Sequence, residues 1–154
     1  MWRYRNPVEV GFGVGALARL PALLAGRSYA LVTYGEPVFT ALAERLAGLA
    51  GAPAVVIDNI TPNPDFAGLP RSCARFAAAP APPQVIVALG GGSVIDAAKV
   101  LAAAGGDFAR VRRFLETGAG AEDLRAVPII AVPTTAGTGS EVTCWAAVWD
   151  AANG

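Results

Sequence analysis

The amino-acid sequence has 154 residues, enough for one domain with a core of its own. Twelve basic and twelve acidic groups cancel, with no basic tail or stripe, which argues against nucleic acid as a main partner. Apolar residues make up 54% and charged residues 16%, so the surface is expected to carry apolar area that another domain or a second copy covers, and a homo-oligomer is predicted.

Met1-Trp2-Arg3-Tyr4-Arg5 leads into a strand-like segment, residues 8–12, without an apolar signal core. Gly11, Gly13 and Gly15 have the look of a dinucleotide fingerprint. They follow a weak strand, however, and Pro21 interrupts the next helical pattern, so they read as turn glycines. Leu17, Leu20, Leu23 and Leu24 give a short helical stripe. Residues 29–33 read as a strand. Pro37 suits the first turn of a helix in which Val38, Leu42, Leu46 and Leu49 recur at helical spacing before Gly51. Residues 54–57 form the next strand. Pro62-Asn63-Pro64 is a rigid turn into a helix with Phe66, Leu69, Cys73 and Phe76 on one side, bent or restarted at Pro70, and Pro80, Pro82 and Pro83 close the unit.

A buried strand, Val85-Ile86-Val87-Ala88-Leu89, then runs into Gly90-Gly91-Gly92-Ser93, and a helix begins at once with Val94-Ile95-Asp96-Ala97-Ala98-Lys99 and continues to Gly105-Gly106. A glycine turn between strand and helix suits a diphosphate: the backbone approaches closely, and the amides of the first helical turn point at the anion. Ser93 adds a hydroxyl donor. Residues 107–126 are polar, with a helical fragment over residues 108–115 and a glycine loop over 117–120. Arg110, Arg112 and Arg113 read as a solvated loop cluster. Residues 128–133 form a fully apolar strand, expected at the centre of a parallel sheet covered on both faces. Residues 141–149 again look strand-rich. Alternating strands and helices imply an α/β fold, a Rossmann-like, doubly wound, mostly parallel sheet, in a single domain spanning residues 1–154.

No apolar run approaches the roughly 20 residues of a membrane span. Cys73 and Cys144 lack CxxC spacing and read as reduced, buried thiols of a cytoplasmic protein. The sequence contains no histidine, which removes the commonest general base and transition-metal ligand. A second hydroxyl- and glycine-rich loop, Thr134-Thr135-Ala136-Gly137-Thr138-Gly139-Ser140, follows the 128–133 strand, where open α/β sheets bind ligands. The two loops together are expected to hold two parts of one cofactor.

Gly90-Gly91-Gly92-Ser93-Val94-Ile95-Asp96-Ala97-Ala98-Lys99, combined with Val132-Pro133-Thr134-Thr135-Ala136-Gly137-Thr138-Gly139-Ser140-Glu141-Val142-Thr143, resembles the iron-containing (group III) alcohol dehydrogenases. The likeness extends to Phe12-Gly13-Val14-Gly15-Ala16-Leu17 and Pro62-Asn63-Pro64. A looser likeness in Leu31-Val32-Thr33-Tyr34-Gly35 and Val148-Trp149-Asp150 points to the branch associated with phosphonate metabolism, with a substrate like phosphonoacetaldehyde. The resemblance implies an NAD- or NADP-binding domain, followed in the family by an all-helical domain that supplies most of a divalent metal site (Fe or Zn) from an aspartate and histidines. It also implies a small aldehyde or alcohol substrate. This sequence ends before that second region, so it is expected to be the cofactor half of a dehydrogenase and not to transfer hydride alone. Two other readings stay open: a glycerol-dehydrogenase-like or dehydroquinate-synthase-like domain, and a non-catalytic NAD(P)-binding module.

By the same resemblance, Gly91, Gly92 and Ser93 contact the pyrophosphate, and Thr134 and Thr138 match cofactor-contacting threonines. Thr135 and Ser140 join them as candidates, and Thr143 and Trp145 match positions lining the nucleotide cleft; for Trp145 the alternative is a strand aromatic packed in the core. Asp96 and Lys99 have the spacing of an i,i+3 pair on the helix, structural or touching the cofactor. Tyr34 stands where many family members have an aspartate for the adenosine ribose, which leans toward NADP, while Glu36 two residues on is placed to substitute for it. Asn63 is expected near the adenine side, the alternative being a turn amide between two prolines.

Overall fold

The computed structural model describes residues 1–3 and 6–150; of the expected 1–154 domain, residues 4, 5 and 151–154 lie outside the described residues. Four short aliphatic runs form one parallel sheet: β1 (Tyr29–Val32), β2 (Val55–Ile57), β3 (Val85–Gly90) and β4 (Ile129–Pro133), in the order β2-β1-β3-β4. Ala30 lies opposite both Val55 and Ile86, and Gly90 lies opposite Pro133. β1 and β3 are buried at every position, because their alternate side chains enter two different cores. Tyr29, Leu31, Val85, Val87 and Leu89 pack with Leu20, Leu24 and Leu46 on one face. Ala30, Val32, Ile86 and Ala88 pack on the other with Leu69, Cys73, Phe76, Val94, Ile95, Leu101 and Phe108.

The helices follow from their ends. α1 (Leu20–Leu24) and α2 (Pro37–Ala50) cover the first face. A proline in the first turn lacks the N–H that would go unbonded there anyway, so Pro37 starts α2. α3 (Leu69–Ala77) has Pro70 in its first turn, so the proline starts the helix instead of bending it, and Phe66 lies ahead of it. α4 (Gly92–Ala104) ends on Gly105 in the left-handed conformation, and α5 (Phe108–Thr117) starts where the Asp107 carboxylate accepts from the Ala109 amide at 3.0 Å.

Several expectations are corrected. Residues 8–12 form no strand; Val8, Val10 and Phe12 alternate as a strand would, but no neighbouring strand pairs with them, and all three are exposed. β4 is an edge strand, half-buried along most of its length, not a central one. Residues 141–149 contain a 3-10 helix (Ser140–Val142) and a single bridge between Asp65 and Trp149 in place of strands. Cys144 is exposed, while Cys73 is buried as expected. Arg110, Arg112 and Arg113 lie on α5, paired with Asp107, Glu116 and Asp123. Trp145 is not in the core, being 80% exposed.

Candidate functional site

From the end of β1 the chain turns outward to β2; from the end of β3 it turns the other way, to β4. Strands that part in this way leave a crevice between their C-terminal ends, the usual ligand site of open α/β sheets. The Thr33 side chain, buried at the end of β1, donates to the Leu89 carbonyl at 2.8 Å and so pins the two strand ends together.

On the β3 side, Gly91 is extended (φ −83, ψ −169) and no side chain caps α4; the Val94 and Ile95 amides donate to the Gly91 carbonyl, each at 3.1 Å, so the amides of Gly92 and Ser93 are the ones left without an intrahelical partner. The glycines here are required by close approach, since none of Gly90, Gly91 and Gly92 has a positive φ. A Cβ on Gly91 would meet Thr135 Oγ1 at 2.8 Å, and one on Gly92 would meet Thr138 Cγ2 at 3.1 Å. The Thr134 amide donates to the Gly90 carbonyl at 3.0 Å. The two glycine-rich loops, some forty-odd positions apart in sequence, thus lie against each other at the ends of neighbouring parallel strands.

Ser93 Oγ accepts from the Asn63 amide at 3.1 Å, which leaves its own proton to donate. Asn63 holds a positive φ of 58 in the turn above the start of α4. Thr134 and Thr135 are exposed and carry no side-chain hydrogen bond among the described residues, while Thr138 Oγ1 accepts from the Ser140 amide at 3.4 Å. Ser140 differs from these: its hydroxyl is buried, donates to Asp96 at 2.5 Å and accepts from Lys99 at 2.9 Å. Thr143 Oγ1 and the Trp145 carbonyl accept from the same ammonium. The i,i+3 pair expected on α4 is therefore present, 3.4 Å apart. Its link to residues 140–147 went unread in the sequence, although two charges on a helix otherwise apolar all round demand partners from elsewhere.

On the β1 side Tyr34 stands edge-on to Phe39, with ring centroids 4.9 Å apart, and Glu36 is exposed. Beside them a slot of about 230 Å³ opens against α2; Thr33, Tyr34, Thr40, Glu44 and Asp58 are among its walls, and none of its lining residues is basic. The Arg75 guanidinium is held by Asp58 at 2.7 Å, Asn59 at 3.2 Å and the Val56 carbonyl at 2.8 Å. Beneath α4, burial and then the Asp107 carboxylate push the Cys73 thiol up to about 12.

Gly91, Gly92, Ser93, Asn63, Thr134, Thr135 and Thr138 thus lie together around the start of α4. Among the described residues no three or more His, Cys, Asp or Glu side chains gather to hold a metal ion. No helix among the described residues is long and apolar enough to cross a membrane.

The sequence matches the family model for iron-containing alcohol dehydrogenase over residues 7–154. It is 40% identical over 153 residues to the phosphonoacetaldehyde reductase of Streptomyces viridochromogenes, covering 90% of this chain and 37% of that protein. It is 34% identical over 144 residues to the 4-hydroxybutyrate dehydrogenase of Cupriavidus necator, again covering 90% and 37%. The structure is similar, with a TM-score of 0.81 and 31% identity, to sulfoacetaldehyde reductase from Bifidobacterium kashiwanohense in complex with NAD+, covering 94% of this chain and 39% of that one. The chain spans a little over a third of the length of these relatives.

Proposed function

The chain belongs to the iron-containing alcohol dehydrogenase family, and on that footing we propose that it is the coenzyme-holding part of an aldehyde reductase, binding NAD or NADP across the C-terminal ends of β1, β3 and β4. The observation that carries this reading is the meeting of the two loops: Gly91 and Gly92 lie so close to Thr135 and Thr138 that one elongated, doubly charged ligand reaches both. Bound there, the nicotinamide coenzyme supplies the hydride chemistry. The chain's own groups bind and orient it. The amides of Gly92 and Ser93 and the Ser93 hydroxyl face the pyrophosphate, with the α4 dipole favouring the anion. The hydroxyls of Thr134, Thr135 and Thr138 approach from the opposite loop, and Thr143 and Trp145 continue that wall. Tyr34, Glu36 and Asn63 border the adenosine side.

The charges at the end of β1 favour NAD over NADP. Glu44 and Asp58 line the slot there, no basic residue is among its lining residues, and Arg75 is already engaged by Asp58 and Asn59, so a 2′-phosphate in the slot meets carboxylates. For the substrate, phosphonoacetaldehyde reductase and sulfoacetaldehyde reductase share one chemistry in their names, a two-carbon aldehyde carrying a tetrahedral oxyanion. A small aldehyde of that class is the proposed substrate of the whole protein. The 154 residues alone are proposed to bind coenzyme without turnover, since they contain no histidine and no metal-holding cluster among the described residues.

Calorimetric titration of the chain with NAD and NADP tests the reading, paired with an assay of aldehyde reduction in the presence of added metal. Saturable binding, tighter for NAD and without turnover, is the expected result. Absence of binding by both coenzymes overturns the site, and turnover by this chain alone overturns the assignment of catalysis to other residues.

A further inference from the structure

α4 is buried on most sides, yet it carries Asp96 and Lys99 less than one turn apart, each with only 15% of its side chain exposed. Charges this deep cost free energy unless they are paired and hydrogen-bonded. Both send their remaining bonds to the same stretch of chain. Lys99 Nζ donates to Ser140 Oγ at 2.9 Å, to Thr143 Oγ1 at 3.4 Å and to the Trp145 carbonyl. Asp96 accepts from Ser140 Oγ at 2.5 Å through one oxygen and from the Ala147 amide at 3.1 Å through the other. Residues 140–147 therefore form a strap tied across α4. Its far end is fixed as well: the Trp149 amide donates to the Pro64 carbonyl at 2.9 Å, and the Phe66 amide donates to the Trp149 carbonyl at 3.1 Å.

The strap begins where the second loop ends. Between Thr134, anchored on Gly90, and Ser140, anchored on Asp96 and Lys99, the loop turns on Gly137 (φ 92) and Gly139 (φ 65) and, among the described residues, makes no other backbone hydrogen bond to the glycine turn. The height of Thr138 above Gly92 is thus set from the strap side. We propose that Asp96 and Lys99 are positioning residues for the coenzyme: their ion pair latches residues 140–147 onto α4 and so fixes the distance between the Thr134-to-Thr138 loop and the Gly90-to-Ser93 turn. This rests on the coenzyme site proposed above.

The test compares NAD with ADP as ligands of the whole 154-residue chain. ADP carries the adenosine and the diphosphate, and so engages the glycine turn, but it lacks the nicotinamide riboside that extends toward the second loop. The double variant Asp96→Asn/Lys99→Met removes both charges and leaves no buried ion without a partner. Its affinity for NAD is expected to fall about tenfold and its affinity for ADP by less than about twofold. Hydrogen exchange is expected to quicken at residues 134–149 while β3 keeps its protection. Ala147→Pro, which deletes the amide that Asp96 accepts without altering α4, gives an independent arm: a smaller loss, about threefold, again confined to NAD. An unchanged NAD affinity, or losses of equal size for the two ligands, overturns the latch while leaving the coenzyme site standing. Failure of the unsubstituted chain to bind NAD overturns both.

Discussion

The two loops that meet over α4 are held in opposite ways. The 90–93 turn is part of a continuous strand and helix: β3 is buried along its whole length, α4 starts at Gly92, and the groups proposed to bind the diphosphate belong mainly to the backbone itself. The 134–140 loop leaves an edge strand, is largely exposed, and owes its place to side chains on another element, Asp96 and Lys99. A local hydrogen-bond ladder makes the first loop rigid by construction. The second is only as rigid as its far-reaching tethers, so a change far from the ligand shifts one loop and spares the other.

The largest expected effect is on the first loop. Gly92→Asp places a carboxylate where the diphosphate belongs, and NAD affinity should fall by about a hundredfold or more, with the circular dichroism of the fold retained; binding that survives makes the turn merely structural. Gly91→Ala strikes the line between the loops. Its methyl carbon would stand 2.8 Å from Thr135 Oγ1 and 3.2 Å from Thr135 Cγ2, so about 1–3 kcal/mol of stability should be lost in urea unfolding. Adding Thr135→Ala removes both atoms and should restore the stability, whereas NAD affinity should stay low because the Thr135 hydroxyl is gone. Full recovery of affinity would remove Thr135 from the site.

An alkaline titration probes the core beneath the first loop. Cys73 is raised to about 12 in the folded chain from an ordinary 9.0, so the folded state holds its proton longer than the unfolded one does. The stabilisation is complete below about pH 9 and drains away as pH rises from there toward about 12; by about pH 10 it has fallen by about 1.4 kcal/mol. Tyr29, also raised by burial, adds a loss of the same sign at higher pH. Urea midpoints near pH 8 and pH 10 should show this loss, and Cys73→Ala should remove most of it. The smallest effect is expected from Ser93→Ala, which takes from the exposed Asn63 amide its acceptor and from the diphosphate one donor. About 1 kcal/mol of NAD binding should go, roughly fivefold, with stability nearly unchanged.

Much of this architecture was readable in one dimension. β1, β2, β3 and α2, α4, α5 lie close to where apolar runs, prolines and glycines placed them, because strand and helix periods and chain-breaking residues act within a few positions. The two loops were readable for the same reason, each being a short run of glycines and hydroxyls after a strand. Periodicity misled where it needed a partner: Val8, Val10 and Phe12 have a strand's alternation but no strand beside them, and residues 128–133 are apolar enough for a central strand yet stand at the edge. An alternating pattern says which face is apolar, not what covers it.

Local chemistry in the chain thus determined the secondary structure, the uncapped glycine turn and the supply of hydroxyls. Only the folded molecule decided that Thr135 and Thr138 rest on Gly91 and Gly92, that Ser140 turns inward to Asp96 and Lys99, and that Asn63 sits on Ser93. Those contacts join residues 30 to 46 positions apart, from Asn63 and Ser93 to Gly92 and Thr138. Nothing in the neighbouring sequence specifies them, because they arise when sheet order brings distant strand ends together and two charges on a buried helix must find their bonds elsewhere.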